Sequence, residues 1–173
     1  MNRPSTSVPA RLWALIEGGI RALDALQPAA QLLARLYVAH VFFLSGLTKL
    51  RDWDTTLALF TDEYHVPVLN PTLAAYMGTT CEVALPVLLV LGLGGRFAAA
   101  GLFILNGVAV LSLMDVAPAA LQQHVLWGSL LAALLLWGPG RWSLDRFTAP
   151  WLRDRVGGAG MGRYTGAASA NRG

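Results

Sequence analysis

The sequence predicts an all-α membrane protein, a four-transmembrane-helix bundle with both termini cytoplasmic. Of its 173 residues 55% are hydrophobic and only 13% charged, a balance foreign to a water-soluble domain of this size. Four apolar stretches, at 28–50, 70–91, 95–114 and 118–137, each reach the roughly 20 residues that a helix needs to cross a bilayer. Basic residues crowd one side of those stretches: Arg3, Arg11 and Arg21 before the first, Arg96 between the second and third, and Arg141, Arg146, Arg153, Arg155, Arg163 and Arg172 after the fourth. The other side holds Lys49 and Arg51, so positive charge puts both termini inside.

In chain order, residues 1–27 form a separate cytoplasmic segment. Trp13, Ile16, Ile20 and Leu23 recur there at helical spacing among charged residues, the pattern of an amphipathic helix lying on the membrane face. Glu17 and Asp24 break the apolar run, so it is no cleavable signal. Pro28 is expected to open span one, as Pro71 and Pro118 open spans two and four, because a proline in the first helical turn lacks only an amide that would be unbonded anyway. Between spans one and two, Trp53, Leu57, Phe60 and Tyr64 alternate with Asp52, Asp54, Asp62 and Glu63, a segment expected in the outer interface. Asn70 caps span two. Gly92-Leu93-Gly94-Gly95 ends it in a tight turn, and Gly138-Pro139-Gly140 ends span four. The tail 148–173 is rich in glycine and alanine without periodicity and is expected to be disordered. The transmembrane domain is thus 28–147, and the net charge of +3 orients the chain rather than signalling nucleic acid.

Polar residues inside the spans are functional candidates, since a charge in hydrocarbon costs a few kcal/mol or more. Arg35, His40, Glu82 and Asn106 fall at similar depths, Arg35 at about 10 Å and Glu82 at about 15 Å from the inner side at 1.5 Å per residue, and are expected to form one intramembrane layer. Glu82 is expected to face Arg35. Two roles are open for the pair: a structural ion pair between spans one and two, or a proton relay or quinone-binding carboxylate tuned by the arginine. Small residues on these faces, Ala39, Gly46 and Gly78, let the helices approach closely. A second set, His65, Asp115 and His124, is expected toward the outer face, with Lys49 at a helix end among headgroups and no site implied. His124 has the chemistry for a metal or headgroup, or simply for bonding a neighbour.

Other chemistries lack their residues. Cys81 is the single cysteine, which excludes a disulfide relay within the chain. No phosphate loop, dinucleotide fingerprint or nucleophile elbow occurs. Copper could be held by His65, His124, Met77, Met114 or Cys81, but no spacing selects it, and no metal site is assigned.

The run Phe42-Phe43-Leu44-Ser45-Gly46-Leu47-Thr48-Lys49-Leu50 after Arg35, Glu82 followed by Gly92 to Ala99, and the ending Gly138-Pro139-Gly140-Arg141-Trp142-Ser143-Leu144-Asp145 resemble the DoxX family of small four-helix membrane proteins. The resemblance covers about 31–147 and marks Arg35, Gly46, Lys49, Glu82 and Asp145 as family-pattern positions. It implies a bacterial inner-membrane protein that serves a redox or metal-stress system beside a partner encoded nearby. In segment 60–67 the chain resembles a subgroup found beside multinuclear iron oxygenases that modify copper-binding peptides. The expected class is a non-catalytic membrane subunit or accessory. The enzyme alternative is a quinone-reactive subunit like that of a thiosulfate:quinone oxidoreductase, for which quinone is the implied cofactor. Catalytic residues are not assigned, and homo-oligomerisation is left open.

Overall fold

A computed structural model describes residues 10–66, 68–113 and 116–148. Five helices follow in order: α1 Ala10–Arg51, α2 Trp53–Asp62, α3 Pro71–Leu91, α4 Gly95–Ser112 and α5 Pro118–Trp137. α1, α3, α4 and α5 are long and apolar enough to cross a membrane. α1 packs on α3, α3 on α4, α4 on α5, and α5 returns to α1, an up-and-down bundle made possible by short connections. Among the described residues the only extended pairing is the bridge between Tyr64 and Leu113.

The bundle has lipid as its solvent. Its core is Val38, Phe42, Leu89, Ala98, Ala99, Leu102, Leu131 and Leu134, while large apolar side chains cover the exterior: Ile104 is 64% exposed, Leu136 70% and Leu111 77%. Apolar burial cannot drive helices together in lipid, so close fit must. Gly46 supplies it between α1 and α3, where an added methyl would stand 2.8 Å from Val83 Cγ2. Gly101 does the same on α4, 2.7 Å from Leu85 Cδ1.

Pro71 and Pro118 sit in the first turns of α3 and α5, and the Asn70 side chain accepts from the Thr72 amide at 2.9 Å. Pro28 departs from expectation. It lies inside α1, which runs unbroken for 42 residues, about 63 Å at 1.5 Å per residue and twice a hydrocarbon core. The amphipathic stretch before Pro28 is therefore the same helix as span one. Proline removes one amide and leaves the Asp24 carbonyl free, and neighbours on both sides that favour helix carry the chain through.

α1 stops at Arg51, beyond the level of Glu82, which faces Gly46, and α2 continues beside the first half of α3. Asp52 makes the break: its carboxylate accepts from the Thr55 amide at 3.0 Å and caps α2. Those bonds from Thr55 hold the Asp52 carboxyl below the usual carboxylate range. Thr56 ties the two helices, its hydroxyl donating to the Lys49 carbonyl at 2.9 Å. The apolar side of α2 covers α3 through Phe60 on Ala74 and Ala75, with the Trp53 and Tyr76 rings 4.6 Å apart. The expected disorder of 148–173 falls almost wholly on residues outside those described, as does Asp115.

Candidate functional site

The expected polar layer divides into separate groups. Arg35 does not meet Glu82. It is 1% exposed, and its guanidinium donates to four backbone carbonyls: Nε to Leu89 at 2.9 Å, Nη1 to Pro139 at 2.9 Å and Trp142 at 2.8 Å, and Nη2 to Val90. Leu89 and Val90 belong to the last turn of α3, whose carbonyls have no partner within the helix and carry the negative end of its dipole. The remaining acceptors there are met by backbone: Leu93 donates to Leu88, and Leu144 to Leu91. Across the turn, Asp145 does the complementary work. Its two carboxylate oxygens accept from the Gly94 and Gly95 amides at 2.7 and 2.8 Å, capping the positive end of α4. A cation closes one helix, an anion opens the next, and both bind the chain after α5 to the bundle.

The glycines around this clasp are required. Gly92 has φ +67°, and a β-carbon on it would stand 2.4 Å from Ser143 Cβ. A β-carbon on Gly95 would stand 2.6 Å from Pro139.

Glu82 pairs with Lys49 instead. Lys49 Nζ lies 2.7 Å from Oε2 and 2.9 Å from Oε1 of Glu82, and donates to Ser45 Oγ at 2.9 Å; Ser45 in turn donates to Glu82 Oε1 at 3.3 Å. The side chains are only 16% and 13% exposed. Side chains lean toward the N-terminus of their own helix. In antiparallel α1 and α3, Arg35 and Glu82 therefore lean apart, while Lys49 and Glu82 lean together. Lys49, expected among headgroups, is thus an internal counter-ion. Pro86, four residues after Glu82, removes the amide that would bond the Glu82 carbonyl. Tyr64 closes the α2 side of this region, and burial, reinforced by the charges of Glu82 and Glu63, raises its phenol above the usual range.

Asn106 also leaves the expected layer. It donates to the His124 carbonyl at 3.0 Å and accepts from His124 Nδ1 at 2.8 Å. Because the asparagine nitrogen is occupied by the carbonyl, its oxygen faces the ring, so Nδ1 bears the proton. His124 therefore bonds a neighbour across α4 and α5 rather than joining an outer set. His65 contributes its backbone amide to the Ser112 carbonyl at 2.9 Å and is exposed.

His40 turns outward. It lines an apolar groove of about 730 Å³ between α1 and α3, with Tyr37 one turn earlier and Leu33, Phe43, Pro86 and Val90 among its walls. Tyr37 escaped the sequence reading, although it and His40 stand at the i, i+3 spacing that shares a helix face, and Ser45 entered it only within the family run. Among the described residues no group of three His, Cys, Asp or Glu could hold a metal ion, and Cys81 is a free thiol.

Compared with known proteins, residues 30–115 match the family DoxX. No curated protein and no solved structure matches the chain.

Proposed function

Since this chain belongs to the DoxX family through residues 30–115, we propose that it is the membrane subunit or accessory of a redox system in the bacterial cytoplasmic membrane, and that a lipid-soluble quinone docks in the groove between α1 and α3. The groove carries this reading. It opens toward lipid, its walls are almost wholly apolar, and its two hydrogen-bonding side chains, Tyr37 and His40, stand one turn apart. A quinone needs an apolar slot for its ring and polar groups for its carbonyl oxygens, and bound there it would supply a two-electron, two-proton acceptor. Tyr37 would donate to one carbonyl and His40 would bond or protonate near the other. Lys49 and Glu82 serve to lock α1 against α3, which fixes the groove's width. Both termini are placed in the cytoplasm, a reading supported by Arg96, Arg141 and Arg146 at the end of the bundle where α4 begins and α5 finishes.

Protein purified from membranes should retain quinone in a near-stoichiometric amount, measured by extraction and absorbance. Tyr37→Phe with His40→Gln should lower retention on the order of tenfold while leaving the melting temperature unchanged. Wild-type protein that carries no quinone and takes none up from nanodiscs would refute the docking site.

The resemblance in segment 60–67 supports a second setting, a copper-stress system. Growth of a deletion strain on excess copper tests it, and unchanged tolerance would count against it.

A further inference from the structure

A second cavity, of about 1030 Å³, lies where α1 passes the start of α4 and the chain that follows α5. Arg96, Arg141 and Arg146 line it with one carboxylate, Asp145. That carboxylate is already occupied, since both its oxygens accept the Gly94 and Gly95 amides. Arg96 is held in position: a β-carbon on Gly138, whose φ is +87°, would stand 3.4 Å from its Nε, and its Nη2 donates to the Leu136 carbonyl at 3.2 Å. Arg141 and Arg146 are exposed, and among the described residues their guanidinium groups make no hydrogen bond or ion pair.

At the same end of the bundle stands a girdle of exposed aromatic side chains. Phe97 is 70% exposed, Trp137 68%, Trp142 58% and Phe147 71%. Such rings settle at the boundary between hydrocarbon and headgroups, which sets the cavity at headgroup depth. Phe97, which lines the cavity, shares a face of α4 with the exposed Ile104 two turns further into the span, which offers an apolar wall for acyl chains.

We propose that this cavity binds the phosphate of an anionic phospholipid. A guanidinium fork matches two phosphate oxygens, three arginines against one occupied carboxylate give the cavity a positive balance, and basic pockets between helices at a membrane face suit such headgroups. The adjacent acyl wall favours a lipid over a free anion.

The test uses full-length protein in nanodiscs, with phosphatidylglycerol, cardiolipin or phosphatidylcholine, and native mass spectrometry to count retained lipid. Anionic lipid should be retained in preference to phosphatidylcholine and should raise the melting temperature, whereas inorganic phosphate at equal concentration should not. R141Q/R146Q should weaken retention of anionic lipid on the order of tenfold, and R141K/R146K, which keeps the charge but loses the fork, should weaken it less. Equal retention of charged and zwitterionic lipid, or unchanged retention in R141Q/R146Q, would overturn the proposal. Protection by inorganic phosphate equal to that by lipid would reassign the cavity to a free anion.

Discussion

Arg35→Met offers the sharpest test of how the helix ends are held. The substitution keeps an unbranched side chain and removes every donor. Leu89 would keep a bond from the Gly92 amide at 3.2 Å, but the Val90, Pro139 and Trp142 carbonyls would lose their guanidinium partner. A buried acceptor left unsatisfied costs about 1–3 kcal/mol, so three cost about 3–9 kcal/mol. Relief of the guanidinium's own desolvation offsets part of that, leaving an expected loss of about 4 kcal/mol from a total stability of order 5–15 kcal/mol. At about 2–4 °C per kcal/mol for a chain of this size, the melting temperature in micelles should fall by roughly 10 °C. Arg35→Lys should lose about half as much, because a point charge cannot fork to four carbonyls on two segments. Arg35 bonds at the level of Leu89 and Val90, about 11 Å along α3 from Glu82 at 1.5 Å per residue. Arg35→Met and Glu82→Gln should therefore add to within about 0.5 kcal/mol. A melt within about 2 °C of wild type, or a coupling above about 1 kcal/mol, would refute the reasoning.

Lys49→Met, which strips Glu82 of its counter-ion, should cost about 3 kcal/mol, while Lys49→Met with Glu82→Leu should restore most of it, since replacing both members of a buried pair is often near neutral; thermal unfolding distinguishes the two. Gly92→Ala should destabilise more than Gly94→Ala, because both adopt positive φ at about 1–2 kcal/mol of strain but only Gly92 also drives a methyl into Ser143; comparable melting temperatures would contradict this. The cap on α2 should respond to acid: the Asp52 carboxyl is held low by Thr55, so its contribution is present above the ordinary aspartate range and is lost as pH falls through the lowered value. Asp52→Asn, still a good cap, should remove that pH dependence, read as protection of the Thr55 and Thr56 amides from hydrogen exchange.

The spans, the proline starts of α3 and α5 and the glycine turns were legible because each is a local property of composition and backbone. The partners of the polar side chains were not. Counting residues gave Arg35 and Glu82 comparable depths, but depth does not say which way a side chain leans, and in antiparallel helices the lean separates that pair and joins Lys49 to Glu82. Depth also depends on where a helix begins, and α1 passes through Pro28 without stopping. Asn106 and His124 fell into different sets because each was measured from a different face. Asp145 was marked by the family pattern alone, since a carboxylate beyond the last span shows its role only once the chain folds back to α4.

That return of the chain has a consequence for biosynthesis. A polypeptide leaves the ribosome from its N-terminus, so α1, α3 and α4 are made before residues 139–145. Until those residues emerge, two donors of Arg35 lack their acceptors, and the first amides of α4 lack the carboxylate that caps them. The early helices are thus held in an assembly-competent but unlatched form, and the bundle is sealed by nearly the last stretch of the membrane domain to be made. Nascent chains cut before Asp145 should insert yet stay accessible to proteases, turning a hydrogen-bond pattern into a checkpoint on completed synthesis.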